Sequence, residues 1–152
     1  MLALKGALEI GISGALIYAL VARSQRELRE ANALLEGVLN ASPLAIVAAN
    51  REGTTTVWSD GAEEMYGWLE EDALGESAPN VPDEDWWDFE YLREQMFEEG
   101  ESVIGYETTR QTKDGSRIDV SITTGAMRNE TGDFIGIIAV QEDITEKKAL
   151  ER

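Results

Sequence analysis

The element order legible in the sequence predicts an α+β fold: a five-stranded antiparallel sheet with helices on one face, flanked by N- and C-terminal helices. Three observations carry this. Two strand-like runs, Leu44–Ala49 and "TTTVWS", flank the turn "NREG" and form a hairpin. Short helical segments bounded by glycines follow. Three more strands then close the domain, two of them joined by "KDGS", a turn with Asp-Gly at its centre. Two strands split from three by helices make an antiparallel sheet covered on one face.

The first element is helical and changes character along its length. Residues 1–22 are mostly apolar, broken by Lys5 and Glu9, which lie at i,i+4 and can pair. About 20 apolar residues span a bilayer, so this segment is a borderline membrane anchor. Tyr18 suits an interface, and Arg23, Arg26 and Arg29 follow at once, which would leave the downstream chain on the cytoplasmic side. A soluble helix burying its apolar face on a partner is the alternative. Residues 23–42 read as an amphipathic, coiled-coil-like helix. Val21, Ser24, Leu28, Ala31, Leu35 and Val38 alternate by three and four, a short heptad seam for pairing with a second copy. "NASP" stops it, because proline disfavours helix in the residue before it.

Residues 43–142 form the predicted core. After the hairpin, Asp60–Tyr66 reads as a short helix, with Asp60 as N-cap, Glu63 three residues on as its capping-box partner, and Gly67 as the stop. "LEEDALG" is a second short helix ending at Gly75. The acidic stretch "ESAPNVPDED" leads into a helix over Trp86–Glu99, stopped by Gly100, with Trp87, Tyr91 and either Leu92 or Phe97 along one face. Ser102–Thr112 and Arg117–Arg128 are the next strands. "RNETGD" turns into Phe134–Glu142, near-continuously apolar and therefore central. Residues 143–152 begin a helix, with Asp143 as N-cap accepting the N–H of Glu146.

Composition narrows the function. The chain carries 30 acidic and 13 basic residues, a net charge of −17, which repels nucleic acid. An acidic surface with few lysines also suits a salt-rich, halophilic cytoplasm, where screening removes self-repulsion; a plain solubility bias is the alternative. There is no cysteine and no histidine. Thiolate chemistry, Cys–flavin adducts and His-ligated haem are therefore excluded. The paired carboxylates Glu63 and Glu64 diverge on a helix, and no phosphate-binding loop is present, so no enzyme is expected. "PDEDWWDFE" lacks the glycine and alternating ligands of a calcium loop, and reads as a solvated acidic edge with its tryptophans turned inward; no metal site is expected.

Three stretches, in order and at matching spacing, resemble the PAS domain with its C-terminal PAC segment, over roughly residues 34–148. They are Trp58 to Gly75 ("WSDGAEEMYGWLEEDALG"), "KDGSRIDV", and "GDFIGIIAVQEDITEKK". One departure is Ser59, where many members carry asparagine.

The resemblance implies a sensory and dimerisation module of a signal-transduction protein, with a cavity under the helices on the concave face of the sheet. Its wall would include Met65, Tyr66, Trp68, Leu74, Trp87, Tyr91, Ile104, Tyr106, Ile122, Thr124, Ile137, Ala139 and Gln141. The same residues would equally fill a plain core, with no ligand. A non-covalent flavin or a small apolar metabolite remains open as ligand; Gln141 stands where light-sensing relatives place a flavin-contacting glutamine. The family's Asp-Ile-Thr joint falls on Asp143, Ile144 and Thr145, and Arg110 or Arg117 would pair with Asp143. Leu28, Ala31, Leu35 and Val38 would form the homodimer seam, and an output domain such as a histidine kinase would follow in a longer protein.

Overall fold

The computed structural model describes residues 2–98, 100 and 102–152, without the side chains of residues 2–4 and 98. The described residues fall into two units, one up to residue 38 and one from residue 39 on.

Helix α1 runs over Leu2–Ala41 without a break. Most of its described apolar side chains, including Ile10, Leu16, Leu28 and Leu35, are exposed. Arg23 pairs with Glu27 at 2.9 Å and Arg26 with Glu30 at 2.8 Å, both at i,i+4. By length and composition this is one helix apolar enough to cross a membrane, with a mean hydropathy of 1.4 in its apolar window.

The second unit is a five-stranded antiparallel sheet in the order β2-β1-β5-β4-β3. The strands are β1 (Ala45–Asn50), β2 (Thr55–Trp58), β3 (Tyr106–Gln111), β4 (Arg117–Arg128) and β5 (Phe134–Asp143). The central strand β5 pairs Ala45 with Gln141 on one side and Ile122 with Gln141 on the other. Helices α2 (Asp60–Tyr66), α3 (Glu70–Ala73) and α4 (Trp86–Glu98) lie between β2 and β3, and α5 (Thr145–Glu151) follows β5. The predicted α+β architecture is the one found. Strand β3 starts four residues later than predicted, at Tyr106, because Gly105 adopts φ +65° just before it.

Local chemistry fixes how α2 meets the sheet. Its N-cap is Ser59, not Asp60 as expected. The Ser59 hydroxyl accepts from Ala62 N at 3.2 Å and from Ile46 N at 2.9 Å, so one buried oxygen both caps α2 and closes the start of β1. Glu63 does not close a capping box either; its Oε1 accepts from Glu70 N, at the start of α3. Gly61 is required here, since a Cβ would lie 2.2 Å from the Leu44 carbonyl oxygen. Gly67 ends α2 at φ +85°.

The core lies on the helix-covered face. Trp58, Tyr66, Ala62, Ala45, Val47 and Ala73 form one cluster, with Met65 and Trp68 packed on it. Leu92, Val120 and Ile122 form a second, with Tyr106 beside it. Helix α4 buries Asp88, Leu92 and Met96, spaced by four. The aromatic face expected to point inward points out instead: Trp87 is 66% exposed and Tyr91 46%. An ion pair from Asp88 to the sheet sets that rotation. Glu99, predicted to end the helix, lies outside the described residues.

Candidate functional site

Alternating positions on adjacent strands aim one set of side chains at the helices. Val47 and Ala49 on β1, Ile122 and Thr124 on β4, and Ile137, Ala139 and Gln141 on β5 share that face. With Asn50, Thr55, Arg110, Ala78, Asn80 and Val81, and with Phe89, Leu92 and Arg93 of α4, they enclose a cavity of about 50 Å³. Small side chains create it: Ala49, Ala78 and Ala139 stand where larger ones would fill the space.

Polar groups cluster at one end. The Tyr66 hydroxyl donates to Gln141 Oε1, and Asn80 Nδ2 donates to the same oxygen at 3.3 Å. Burial pushes the Tyr66 pKa up to about 12; the Asn80 hydrogen bond and the nearby Arg110 charge oppose that rise, and the Asp143 charge adds to it. Asn80 is held in place by its carbonyl, which accepts from Gln111 N at 2.9 Å.

Arg110 and Asp88 form a buried pair, each side chain 2% exposed, with Nη1 to Oδ2 at 2.8 Å. The same Nη1 donates to the Thr109 carbonyl at 2.9 Å, and the Thr108 hydroxyl donates to Asp88 Oδ2 at 2.8 Å. Burial opposes charge on Asp88, but contacts with Tyr106, Arg110 and Thr108 outweigh it and hold the carboxyl below its ordinary pKa. The neighbouring Asp88 carboxylate, with burial, pushes the Tyr106 pKa up to about 12. Among the described residues, Asp88 Oδ1 and the Thr55 hydroxyl are buried without a partner.

The thirteen predicted wall residues separate into three groups. Ile122, Thr124, Ile137, Ala139 and Gln141 line the cavity. Met65, Tyr66, Trp68 and Tyr106 pack in the surrounding core, with Tyr66 reaching Gln141 by its hydroxyl. Leu74, Trp87, Tyr91 and Ile104 do not line it; they are 39%, 66%, 46% and 80% exposed. Thr124, one of the wall residues, accepts from Val103 N at 3.2 Å. Sequence reasoning missed Thr55, Asn80, Asp88 and Arg110 as neighbours of one site. The one available signal was a carboxylate, Asp88, at i−4 from Leu92 and i−8 from Met96 on an otherwise apolar stripe. The tryptophans of the acidic loop are not both turned inward, and Asp83–Asp85 form a 3₁₀ turn whose Glu84 and Asp85 pair with Arg117. Among the described residues no group of three acidic side chains is placed to hold a metal ion.

A second constellation joins the sheet to α5. Asp143 is the last residue of β5 and not the N-cap of α5, which is Ile144; its Oδ1 accepts from Thr145 N at 2.9 Å rather than from Glu146. The Thr145 hydroxyl accepts from Asp119 N at 3.0 Å, and Ile144 N donates to the Asp119 carbonyl at 2.8 Å. Ile144 is buried, and Lys148 reaches Glu107 at 3.3 Å. Neither arginine expected to pair with Asp143 does so: Arg110 is engaged by Asp88, and Arg117 by Glu84 and Asp85.

The profile of the PAS fold matches residues 33–144. The signal-transduction histidine-protein kinase AtoS of Escherichia coli K12 is 26% identical over 125 residues, 82% of this chain. The chain spans only 20% of that relative's length. Among solved structures, a PAS domain from Colwellia psychrerythraea superposes with a TM-score of 0.66 at 21% identity, covering 72% of this chain and 93% of that one. The Drosophila melanogaster Cycle PAS-B domain, solved with bound ethylene glycol, superposes with a TM-score of 0.57 at 23% identity, covering 65% of this chain and 98% of that one.

Proposed function

From the premise that the chain belongs to the PAS family, we propose that it is a sensory and dimerisation module of a signal-transduction protein. In this reading a small molecule enters the cavity, and the change is relayed through the flanking helices to an output domain. The observation that carries the reading is the cavity itself, which keeps a buried, unpartnered Thr55 hydroxyl on its wall. A purely structural core has no use for such a group, since a buried polar atom without a partner costs about 1–3 kcal/mol. The AtoS likeness supports a histidine kinase as the output. The long apolar stretch of α1 supports an anchor in a membrane, with the core on the cytoplasmic side.

The relay runs through Asp143, Ile144 and Thr145, which tie the end of the central strand and the first turn of α5 to Asp119 of β4. Any shift of β5 or β4 therefore reaches α5 directly. Two experiments test the reading. Mass spectrometry of small molecules released on denaturing the purified protein should find one compound near stoichiometric amount. Asp143→Ala, fused to a kinase output, should lock that output on or off while the core stays folded. A fusion that switches normally with only a lowered melting temperature reduces Asp143 to a local tie that holds Thr145 N.

The cavity volume favours a second reading. Pockets for drug-sized ligands are roughly 300–1,000 Å³, so about 50 Å³ is small, and a flavin does not fit without expansion. A ligand-free module that pairs two chains and relays helix motion is the alternative, and empty extracts from several expression hosts would favour it.

A further inference from the structure

The geometry points to a specific ligand class for this cavity: a short, uncharged compound with an oxygen at each end, such as a hydroxyketone. The inference rests on the reading of the cavity as a ligand site.

Size sets the first limit. A water needs roughly 10–15 Å³ of such space, so about 50 Å³ holds roughly three to five waters or a molecule of similar bulk. The wall sets the second. Between its polar groups lie Val47, Ile122, Ile137 and Ala139, so the middle of the ligand is hydrocarbon.

The polar groups left over decide the rest. Gln141 Oε1 already accepts from Tyr66 and Asn80, whereas Gln141 Nε2 has no partner among the described residues. Arg110 engages Asp88, Thr108 and Thr109 through Nη1 alone, leaving Nε and Nη2 without partners among the described residues. Both residues are buried and both line the cavity. This end therefore offers mainly N–H donors, with Asn80 Oδ1 as one acceptor without a partner among the described residues, and takes a carbonyl or hydroxyl oxygen. Thr55 lies at the other end. It pairs with Ala49, and Gln141 pairs with Ala45, four residues back along β1. Its hydroxyl donates and accepts, so it takes a hydroxyl or a second carbonyl.

Charge excludes a carboxylate. Arg110 is already neutralised by Asp88, and Arg93, the other cation on the wall, is paired with Glu90, so an anion would bury one uncompensated negative charge in a chain of net charge −17. A cation finds no carboxylate on the wall, since Asp88 faces Arg110 and does not line the cavity.

Three isosteres test this by NMR titration of the full chain, reading the Arg110 Nε–H signal and the Ile122 and Ile137 methyl signals. 4-Hydroxy-2-butanone should shift all three saturably. 3-Hydroxypropanoate, with the methyl replaced by a charged oxygen, should bind roughly tenfold more weakly or less still at pH 7. 2-Pentanone, with the hydroxyl replaced by methyl, should bind several-fold more weakly. Thr55→Val should keep or raise the melting temperature and abolish the preference for the hydroxyketone over 2-pentanone. Equal binding of the carboxylate, or an unchanged preference in Thr55→Val, overturns the proposal. Xenon separates the two levels of the claim. If xenon shifts the isoleucine methyls and none of the oxygen compounds does, the class is wrong and the cavity remains a binding space. If neither xenon nor the hydroxyketone shifts them, both readings fall.

Discussion

Ser59 does two jobs with one oxygen, and its removal should register twice. Ser59→Ala takes away the cap of α2 and strands the buried N–H of Ile46. A lost cap costs about 1 kcal/mol and an orphaned buried donor about 1–3, so urea denaturation should show a loss of about 2–4 kcal/mol. Ser59→Asn, which keeps a side-chain oxygen, should recover part of it. Tyr66 and Tyr106 set the alkaline limit. Both are raised to about 12, so the native state holds their protons more tightly than the unfolded chain, where tyrosine titrates near 10. Their contribution is complete below about pH 10 and is lost as pH rises towards 12, at up to about 1.4 kcal/mol per pH unit for the buried Tyr66 and by less for Tyr106, which solvent screens. Denaturation midpoints that stay flat between pH 10 and 12 would contradict this. Asp88 acts at the other end of the scale: its lowered pKa contributes stability above the ordinary aspartate range, lost as pH falls through it.

Helix α4 is held to the sheet by apolar packing and by the Asp88–Arg110 pair. Breaking a buried pair on one side leaves the other charge uncompensated, at about 3–5 kcal/mol. Asp88→Ala should therefore cost that much in thermal or urea unfolding. The double change Asp88→Leu with Arg110→Met should recover most of it, because buried pairs and apolar replacements are often close in energy. A double variant no more stable than Asp88→Ala would show that the pair is irreplaceable. This pair also explains why one element was misread. The hairpins and α2 were legible because turn and stop residues carry local signals: "NREG", Asp114-Gly115, and Gly67 at φ +85°. The rotation of α4 carries none. Its exposed face bears Trp87 and Tyr91, its buried face bears an aspartate, and the arginine that justifies the aspartate stands 22 residues away. The cavity wall was legible on β4 and β5, where alternation by two assigns a face, and not on the loop of Asn80, which has no period. Ser59 and Asp60 are both good caps in the abstract; only the reach of the hydroxyl to Ile46 N separates them.

At the scale of the whole chain, α1 presents Leu28, Ala31, Leu35 and Val38 on an exposed seam. We expect a parallel homodimer paired along it, so Leu28→Glu or Leu35→Glu should set like charges across the seam and give monomer. Unchanged mass by light scattering in both variants would rule that pairing out. The strand order has a mechanical consequence. The first strand of the sheet lies beside the last, and Ala45, where the chain enters, faces Gln141, two residues before β5 ends. Directly opposed residues in an antiparallel pair sit about 4.5–5.5 Å apart, so entry and exit are neighbours. A force that separates those two points does not shear the sheet. It opens it like a zipper, beginning at the Ala45–Gln141 rung and loading one rung at a time. Pulled in an optical trap through these points, the domain should therefore yield at low force, and should resist far more when pulled through Ala45 and Phe134, which start the antiparallel strands β1 and β5 at opposite ends of their ladder and so load its rungs in shear.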